Sequence, residues 1–180
     1  FLSEWFSDSD FVVVQTSGST GEPKPIELPK LVMQKSAERT IQYFGLKKND
    51  RLLLSLPCRY IAGKMMVVRA NVGQMNLITV DPATDFDFLE HETFSFGAMV
   101  PNQVVKLLER PSGVEKLQNI SNLLIGGSAI TSAMEAQVSQ LQNRTVITYG
   151  MTETASHIAI RELSGDRKSE FYHCLPGITV

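Results

Sequence analysis

The sequence predicts an α/β domain in which a largely parallel sheet is flanked by helices. Three observations predict it. From residue 50 onward, short apolar runs alternate with stretches of helical periodicity, the pattern of successive βαβ units. Glycine- and hydroxyl-rich turns follow several of the apolar runs directly. No internal repeat or low-complexity tract interrupts the alternation.

Taken in order, residues 1–10 suggest a short amphipathic helix whose apolar face is Phe1, Leu2, Trp5 and Phe6. Phe11, Val12, Val13 and Val14 read as a buried strand. Met33, Ala37, Ile41 and Phe44 then fall at helical spacing, with Pro29 near the start and Gly45 placed as a C-cap. Strand candidates follow at 51–56, 75–80, 95–100, 123–126 and 145–149, with a further one at 157–161. Helix candidates lie at 61–72, 86–91, 101–109 and 133–142. In the last, Ser132 and Glu135 have capping-box spacing, and Met134, Val138 and Leu141 form the inner stripe. Pro111-Ser112-Gly113 is a turn, and 165–168 is a polar loop.

A chain of 180 residues is long enough for one sizeable core, and we treat 1–180 as a single domain. It is 43% hydrophobic and 20% charged, ordinary for a globular protein. A net charge of −2 provides no broad basic field, so neither nucleic acid nor membrane is expected as a partner. Two cysteines, Cys58 and Cys174, are too few for a disulfide framework; free buried thiols in a reducing compartment, the cytoplasm, are the expectation. No apolar run approaches the length of a membrane span, and the first residues lack a signal-peptide pattern.

The stretch from Gln15 to Pro25 is the centre of the chain's chemistry. Thr16, Ser17, Gly18, Ser19, Thr20 and Gly21 place four hydroxyls and two glycines in six residues, and Lys24 follows. Glycines let a backbone curl so that its N–H groups form an anion nest, and the hydroxyls and the Lys24 cation add donors. The chemistry suits a polyphosphate. It is not a Walker A loop, because the glycine spacing differs and no Gly-Lys-Ser/Thr follows. A solvated Ser/Gly linker is the plain alternative. Two further turns also follow predicted strands: Gly126-Gly127-Ser128-Ala129, and Tyr149 through Thr154. Ligands of open α/β sheets bind outside the carboxyl ends of strands, so all three are expected to line one crevice. Other chemistry is weakly signalled. Cys58 has no flanking residues that would depress its pKa. Cys174 with His173 and His157 lacks zinc spacing.

Residues 16–24 resemble the phosphate loop of the adenylate-forming superfamily, which comprises acyl-CoA synthetases, luciferases and peptide-synthetase adenylation domains. Tyr149-Gly150-Met151-Thr152-Glu153-Thr154 resembles a second motif of that family, and 124–129 resembles its glycine-rich adenine turn, with Ser128-Ala129 in place of the usual Ala-Pro. Residues 56–66 and 156–161 most resemble the o-succinylbenzoate–CoA ligase branch, which serves menaquinone synthesis. The resemblance implies that a carboxylic acid is adenylated by ATP with Mg²⁺ and then passed to coenzyme A. It implies that Thr16, Ser17, Gly18, Ser19, Thr20, Gly21 and Lys24 hold phosphates, that Thr152 contacts the α-phosphate and that Glu153 ligates the metal. Tyr149, Gly150, Gly127, Ser128 and Ala129 are implied to flank adenine. Tyr60, Gly63 and Lys64 are implied to line the acyl pocket, with Tyr60 where the family commonly has His; Lys64 or Arg59 is the candidate partner for a substrate anion. Family members extend on both sides of such a stretch, ending in a mobile C-terminal domain with a catalytic Lys. The chain is therefore expected to be a fragment of the larger N-terminal domain, inactive by itself. The expected partners are a small-molecule carboxylic acid, ATP and CoA, with a homodimer left open. A module that holds nucleotide without turnover, and an unrelated phosphate-binding α/β transferase, remain the alternatives.

Overall fold

The computed structural model describes residues 1–16 and 24–179. Two sheets form. The smaller is an antiparallel ribbon of β1 (Phe11–Gln15) and β2 (Pro25–Pro29), with Val12 opposite Leu28. Its alternation is amphipathic: Val12, Val14 and Leu28 are buried, whereas Phe11 and Val13 face outward.

The larger sheet contains β3 (Arg51–Leu54), β4 (Asn76–Thr79), β5 (Phe96–Met99), β6 (Asn122–Ile125), β7 (Arg144–Gly150), β8 (His157–Glu162) and β9 (His173–Cys174). Their order is β4-β3-β5-β6-β7-β8-β9. The first five are parallel; β8 and β9 join antiparallel. Helices cover both faces, so the central strands are apolar throughout, and alternation sends successive residues to opposite cores. Leu53, Leu123, Ile125 and Ile147 enter one core, while Leu52, Leu54, Leu124 and Val146 enter the other.

The helices are α1 (Leu2–Trp5), α2 (Lys30–Phe44), α3 (Ile61–Gly73), α4 (Pro101–Leu108), α5 (Gly113–Gln118) and α6 (Ser132–Val138). A third core joins the ribbon to α2 and α3 through Val12, Val14, Met33, Ala37, Met65 and Val68. Gly45 caps α2 in the left-handed conformation at φ 66°, as its position predicts. Buried Gln103 ties the first turn of α4 to the sheet, donating to Ser55 O at 2.8 Å and Pro82 O at 3.0 Å.

Several elements differ from expectation. The first helix stops at Trp5, because Ser7-Asp8-Ser9-Asp10 favours side-chain-to-backbone turns; Leu2 and Phe6 are exposed. Residues 86–91 hold only a 3-10 turn, Asp87–Glu90, entered through Phe86 at φ 63°. Thr131, not Ser132, caps α6, accepting from Met134 N at 3.2 Å; the Glu135 carboxylate instead takes both Arg161 amines at 2.7 Å. β2, β9 and α5 were not anticipated. Contrary to expectation, the two free thiols are not buried: Cys58 is half-buried, and Cys174 lies exposed in the two-residue edge strand β9.

One glycine decides how α3 sits. A Cβ at Gly63 would lie 2.5 Å from Pro57 O and 2.8 Å from Leu56 O, backbone atoms that cannot swing aside. Gly63→Ala is expected to destabilise the fold by about 1–3 kcal/mol, as overpacking does. Chemical denaturation measures this; an unchanged midpoint would show that α3 does not depend on the close approach.

Candidate functional site

The 15–25 stretch is a hairpin connection, because it joins β1 to β2. Thr16 N donates to Lys24 O at 3.1 Å, and Lys24 N donates to Thr16 Oγ1 at 3.0 Å, so the two flanks are pinned together. Ser17, Gly18, Ser19, Thr20 and Gly21 lie outside the described residues. The expectation that this stretch follows a strand of the main sheet is corrected: β1 belongs to the ribbon. The other two turns do stand at carboxyl ends of the main sheet, after the adjacent parallel strands β6 and β7.

After β6, Gly126 N donates to Met99 O at 3.1 Å, and Gly127 turns the chain at φ 93°. That value favours glycine and leaves Ser128 and Ala129 exposed. At the end of β7, Tyr149 is 58% exposed and meets Tyr172 edge-on at 6.4 Å. The Arg161 guanidinium, held by Glu135, lies 5.8 Å from the Tyr172 ring.

Gly150 begins the reversal into β8. A Cβ there would lie 2.3 Å from Ser156 O and 2.5 Å from His157 Cα, so only glycine fits. The turn Thr152–Thr154 follows, tied by Thr154 Oγ1, which accepts from Met151 N at 3.0 Å and donates to Ser156 O at 2.6 Å. Thr152 is buried and Glu153 exposed. Ala155 then packs into the core beneath the ribbon, bringing this turn and the hairpin against one cluster of side chains.

Tyr60 is exposed, with the Arg59 guanidinium 4.7 Å from its ring, and Gly63 is buried. Lys64 is 7% exposed, and its ammonium donates to Val13 O at 3.2 Å. That cation therefore has an acceptor inside the fold, and burial lowers its pKa. A shallow cleft of about 520 Å³ beside Trp5, Asp10 and Lys30 holds none of these residues.

Sequence reasoning missed Arg69. It is fully buried in α3, and burial lowers its guanidinium to about 10, leaving it charged at neutral pH. Nη2 donates to Ser156 Oγ at 2.9 Å, Nη1 faces Met66 Sδ at 3.7 Å, and Nε has no partner among the described residues. Two other shielded cations do have carboxylates: Arg144 pairs with Glu162, and Lys116 with Asp87 and Glu90. Ser156 also meets His157 Nδ1 at 3.2 Å, and His157 Nε2 meets Thr40 Oγ1 at 3.2 Å. Burial, reinforced by the Arg69 charge, holds His157 well below the usual histidine range. The available signal was an arginine inside the otherwise apolar run Met65–Ala70, which reads more simply as a snorkelling side chain.

Among the described residues no group of three His, Cys, Asp or Glu side chains is placed to hold a metal, and no helix is long and apolar enough to cross a membrane. The exposed Glu153 carboxylate fits a magnesium ion, which characteristically takes one or two protein carboxylates and completes its shell with phosphate and water.

Fold and turns define an open α/β domain whose polar, glycine-bearing turns gather at the carboxyl end of a parallel sheet. The AMP-binding enzyme family matches residues 3–177, and the chain belongs to that family. It is 28% identical over 163 residues to 2-succinylbenzoate–CoA ligase of Bacillus cereus (strain Q1), covering 88% of this chain and 34% of that protein. Among solved structures, an acyl-CoA synthetase (AMP-forming)/AMP-acid ligase II-like protein from Dyadobacter fermentans superposes with a TM-score of 0.90 at 37% identity, covering 98% of this chain and 51% of that one. The R195K form of E. coli MenE with bound OSB-AMS gives 0.70 at 27% identity, covering 92% and 35%. The chain thus spans about a third of the length of the curated relatives it matches.

The buried histidine has a pH consequence. Its folded pKa is depressed, so below the unfolded value of about 6.5 only the unfolded chain takes up the proton. This contribution to stability is fully present above about pH 6.5 and is lost as pH falls, by up to about 1.4 kcal/mol per pH unit. Between about pH 6.5 and 5.5, where few carboxylates titrate, the fall in unfolding free energy is expected to be smaller in His157→Gln. Equal slopes in both proteins would show that His157 charges as readily in the fold as outside it.

Proposed function

We propose that the full-length protein is an AMP-forming acid–CoA ligase. The substrate carboxylate attacks the α-phosphorus of ATP, pyrophosphate leaves, and the CoA thiol then displaces AMP to form the thioester. The observation that carries this proposal is the convergence of two motifs: the Thr152–Thr154 turn ends in Ala155, which packs beneath the ribbon that carries the hairpin flanks Thr16 and Lys24.

The carboxylate is already a nucleophile, so the protein's work is positioning and charge stabilisation rather than proton abstraction. Thr16 and Lys24, with Ser17, Gly18, Ser19, Thr20 and Gly21 between them, would hold the β- and γ-phosphates. Thr152 would contact the α-phosphate. Tyr149 and Gly150, with Gly127, Ser128 and Ala129, would flank adenine, and Tyr60 and Gly63 would line the acyl pocket. Glu153 would hold Mg²⁺, which when bound neutralises phosphate charge.

For the acid, we infer an aromatic dicarboxylate of the o-succinylbenzoate type. One carboxylate reacts; the other needs a cation. The Lys64 ammonium gives one of its three donors to Val13 O, whereas the Arg69 Nε–H has no acceptor among the described residues. A buried guanidinium lacking a carboxylate is costly, and an anionic ligand removes that cost. The likeness to 2-succinylbenzoate–CoA ligase agrees.

Acid-dependent ATP–pyrophosphate exchange tests both levels in the full-length protein. Glu153→Gln is expected to lower turnover about 100-fold, in line with the loss of one strong electrostatic contact. Arg69→Met, which keeps volume, should lower kcat/KM for o-succinylbenzoate by about 10- to 100-fold. It should leave 3-benzoylpropionate, which lacks the aromatic carboxylate, nearly unchanged. Equal effects on both acids would exclude Arg69 as the partner of the second carboxylate, and absence of exchange with any acid would exclude the ligase.

A further inference from the structure

The side chains linking Arg69 to α2 have a determined direction. Thr40 Oγ1 lies 3.0 Å from Ser36 O, a carbonyl that can only accept, so the single Thr40 proton goes there. Thr40 Oγ1 can then only accept from His157 Nε2, 3.2 Å away, so that nitrogen carries a proton. With His157 neutral, Nδ1 is a bare acceptor, and the Ser156 hydroxyl 3.2 Å away donates to it. The Ser156 oxygen turns its lone pairs to Arg69 Nη2 at 2.9 Å. Ser156, His157 and Thr40 are each satisfied, and every donor in the row points the same way.

We propose that His157 is a positioning residue of the acid site: as the neutral Nε2–H tautomer it holds Ser156 as an acceptor and thereby fixes the Arg69 guanidinium, whose enclosed Nε has no partner among the described residues. This rests on the assignment of Arg69 to the acid. An imidazolium at 157 would reverse the middle link. Its Nδ1–H would compete with Arg69 for the Ser156 oxygen, and the Ser156 proton would lose its acceptor. The imidazole is enclosed, with 7% exposure. Arg69 is the charged group that acts on it, and Thr40 and Ser156, its partners on the flanking segments, are neutral.

Two measurements on the full-length protein test this. The first is long-range ¹H–¹⁵N correlation of the histidine rings; with three histidines in this stretch, loss of signal in His157→Gln assigns the resonance. A neutral Nε2–H ring at neutral pH is expected; an Nδ1–H ring or an imidazolium would overturn the proposal. The second is kinetic. Asn places its side-chain oxygen near the position of Nδ1 and can accept from Ser156, whereas Leu cannot. His157→Leu and Ser156→Ala should each raise KM for the dicarboxylate about tenfold with KM for ATP unchanged, and His157→Asn should recover most of that loss, as expected for loss and return of one partner of a charged hydrogen bond. If Asn and Leu behave alike, or if KM for ATP rises in parallel, His157 does not act through Ser156. Should His157→Leu not fold, Ser156→Ala and His157→Asn still decide the matter, since Ser156→Ala removes only a hydroxyl. The Arg69→Met arm separates the two proposals. No effect of Arg69→Met on the dicarboxylate overturns the acid assignment; an effect of Arg69→Met without one of Ser156→Ala overturns the positioning role.

Discussion

The chain can reverse between β7 and β8 only because residue 150 has no side chain. Two backbone segments pass so closely there that any Cβ would collide with Ser156 O and His157 Cα. Much of the site is geometry downstream of that contact. It lets β8 return antiparallel beside β7, shifts their register at Tyr149 and Gly150, and folds the intervening residues into a tight turn. It therefore sets which side chains go in and which stay out: Thr152, Ala155 and His157 inward, Tyr149, Met151 and Glu153 outward. A single steric demand at the edge of the parallel strands thus sorts one short segment into an outer, exposed set and an inner, buried set.

The inner set is where the fold departs from its own habits. Arg144 is met by Glu162 and Tyr43, and Lys116 by two carboxylates. These are self-contained ion pairs that leave nothing for a ligand. Arg69 and Lys64 lack such a carboxylate among the described residues: Lys64 donates to the Val13 carbonyl, and Ser156 Oγ, a methionine sulfur and the face of Phe96 at 5.9 Å surround Arg69, whose Nε has no partner. Deep burial without an anion is tolerated in a stable domain when something else is gained, and the binding of an anionic substrate proposed above would be such a gain.

Much of the fold was readable because a doubly covered parallel sheet needs continuous apolar strands, and runs such as Leu52-Leu53-Leu54 and Leu123-Leu124-Ile125 announce themselves. What escaped was short or local. β2 offers only Ile26 and Leu28 as inward residues between two prolines, and α5 is a six-residue helix begun by a glycine. Adjacent hydroxyls at Thr131 and Ser132 made the cap of α6 ambiguous, and Glu135, which completed the capping pattern on paper, found a better partner in Arg161. The turn at 126–129 and the motif at 149–154 were legible as patterns, and their place at the sheet's carboxyl end followed from topology. The hairpin was misplaced because a strand followed by a glycine-rich turn looks the same whether the next element is a helix or a returning strand. Arg69 and His157 were unreadable for a different reason: they lie 88 positions apart, and the fold joins them through the Ser156 hydroxyl, just before β8.

The one-directional row from Arg69 to Ser36 O amounts to a fixed replacement for solvent. Water around a cation turns its oxygens inward, and must turn again when an anion arrives. Here the Ser156 oxygen already faces the guanidinium, and the links behind it, through His157 to Thr40, are aligned with it, so each dipole reinforces the next. Little reorientation would be left to do if the proposed anion entered beside Arg69, which is the condition under which a polar interior outperforms water. The row is anchored on α2, a 15-residue helix that carries none of the motif residues, so this local polarisation depends on a part of the chain outside the motifs.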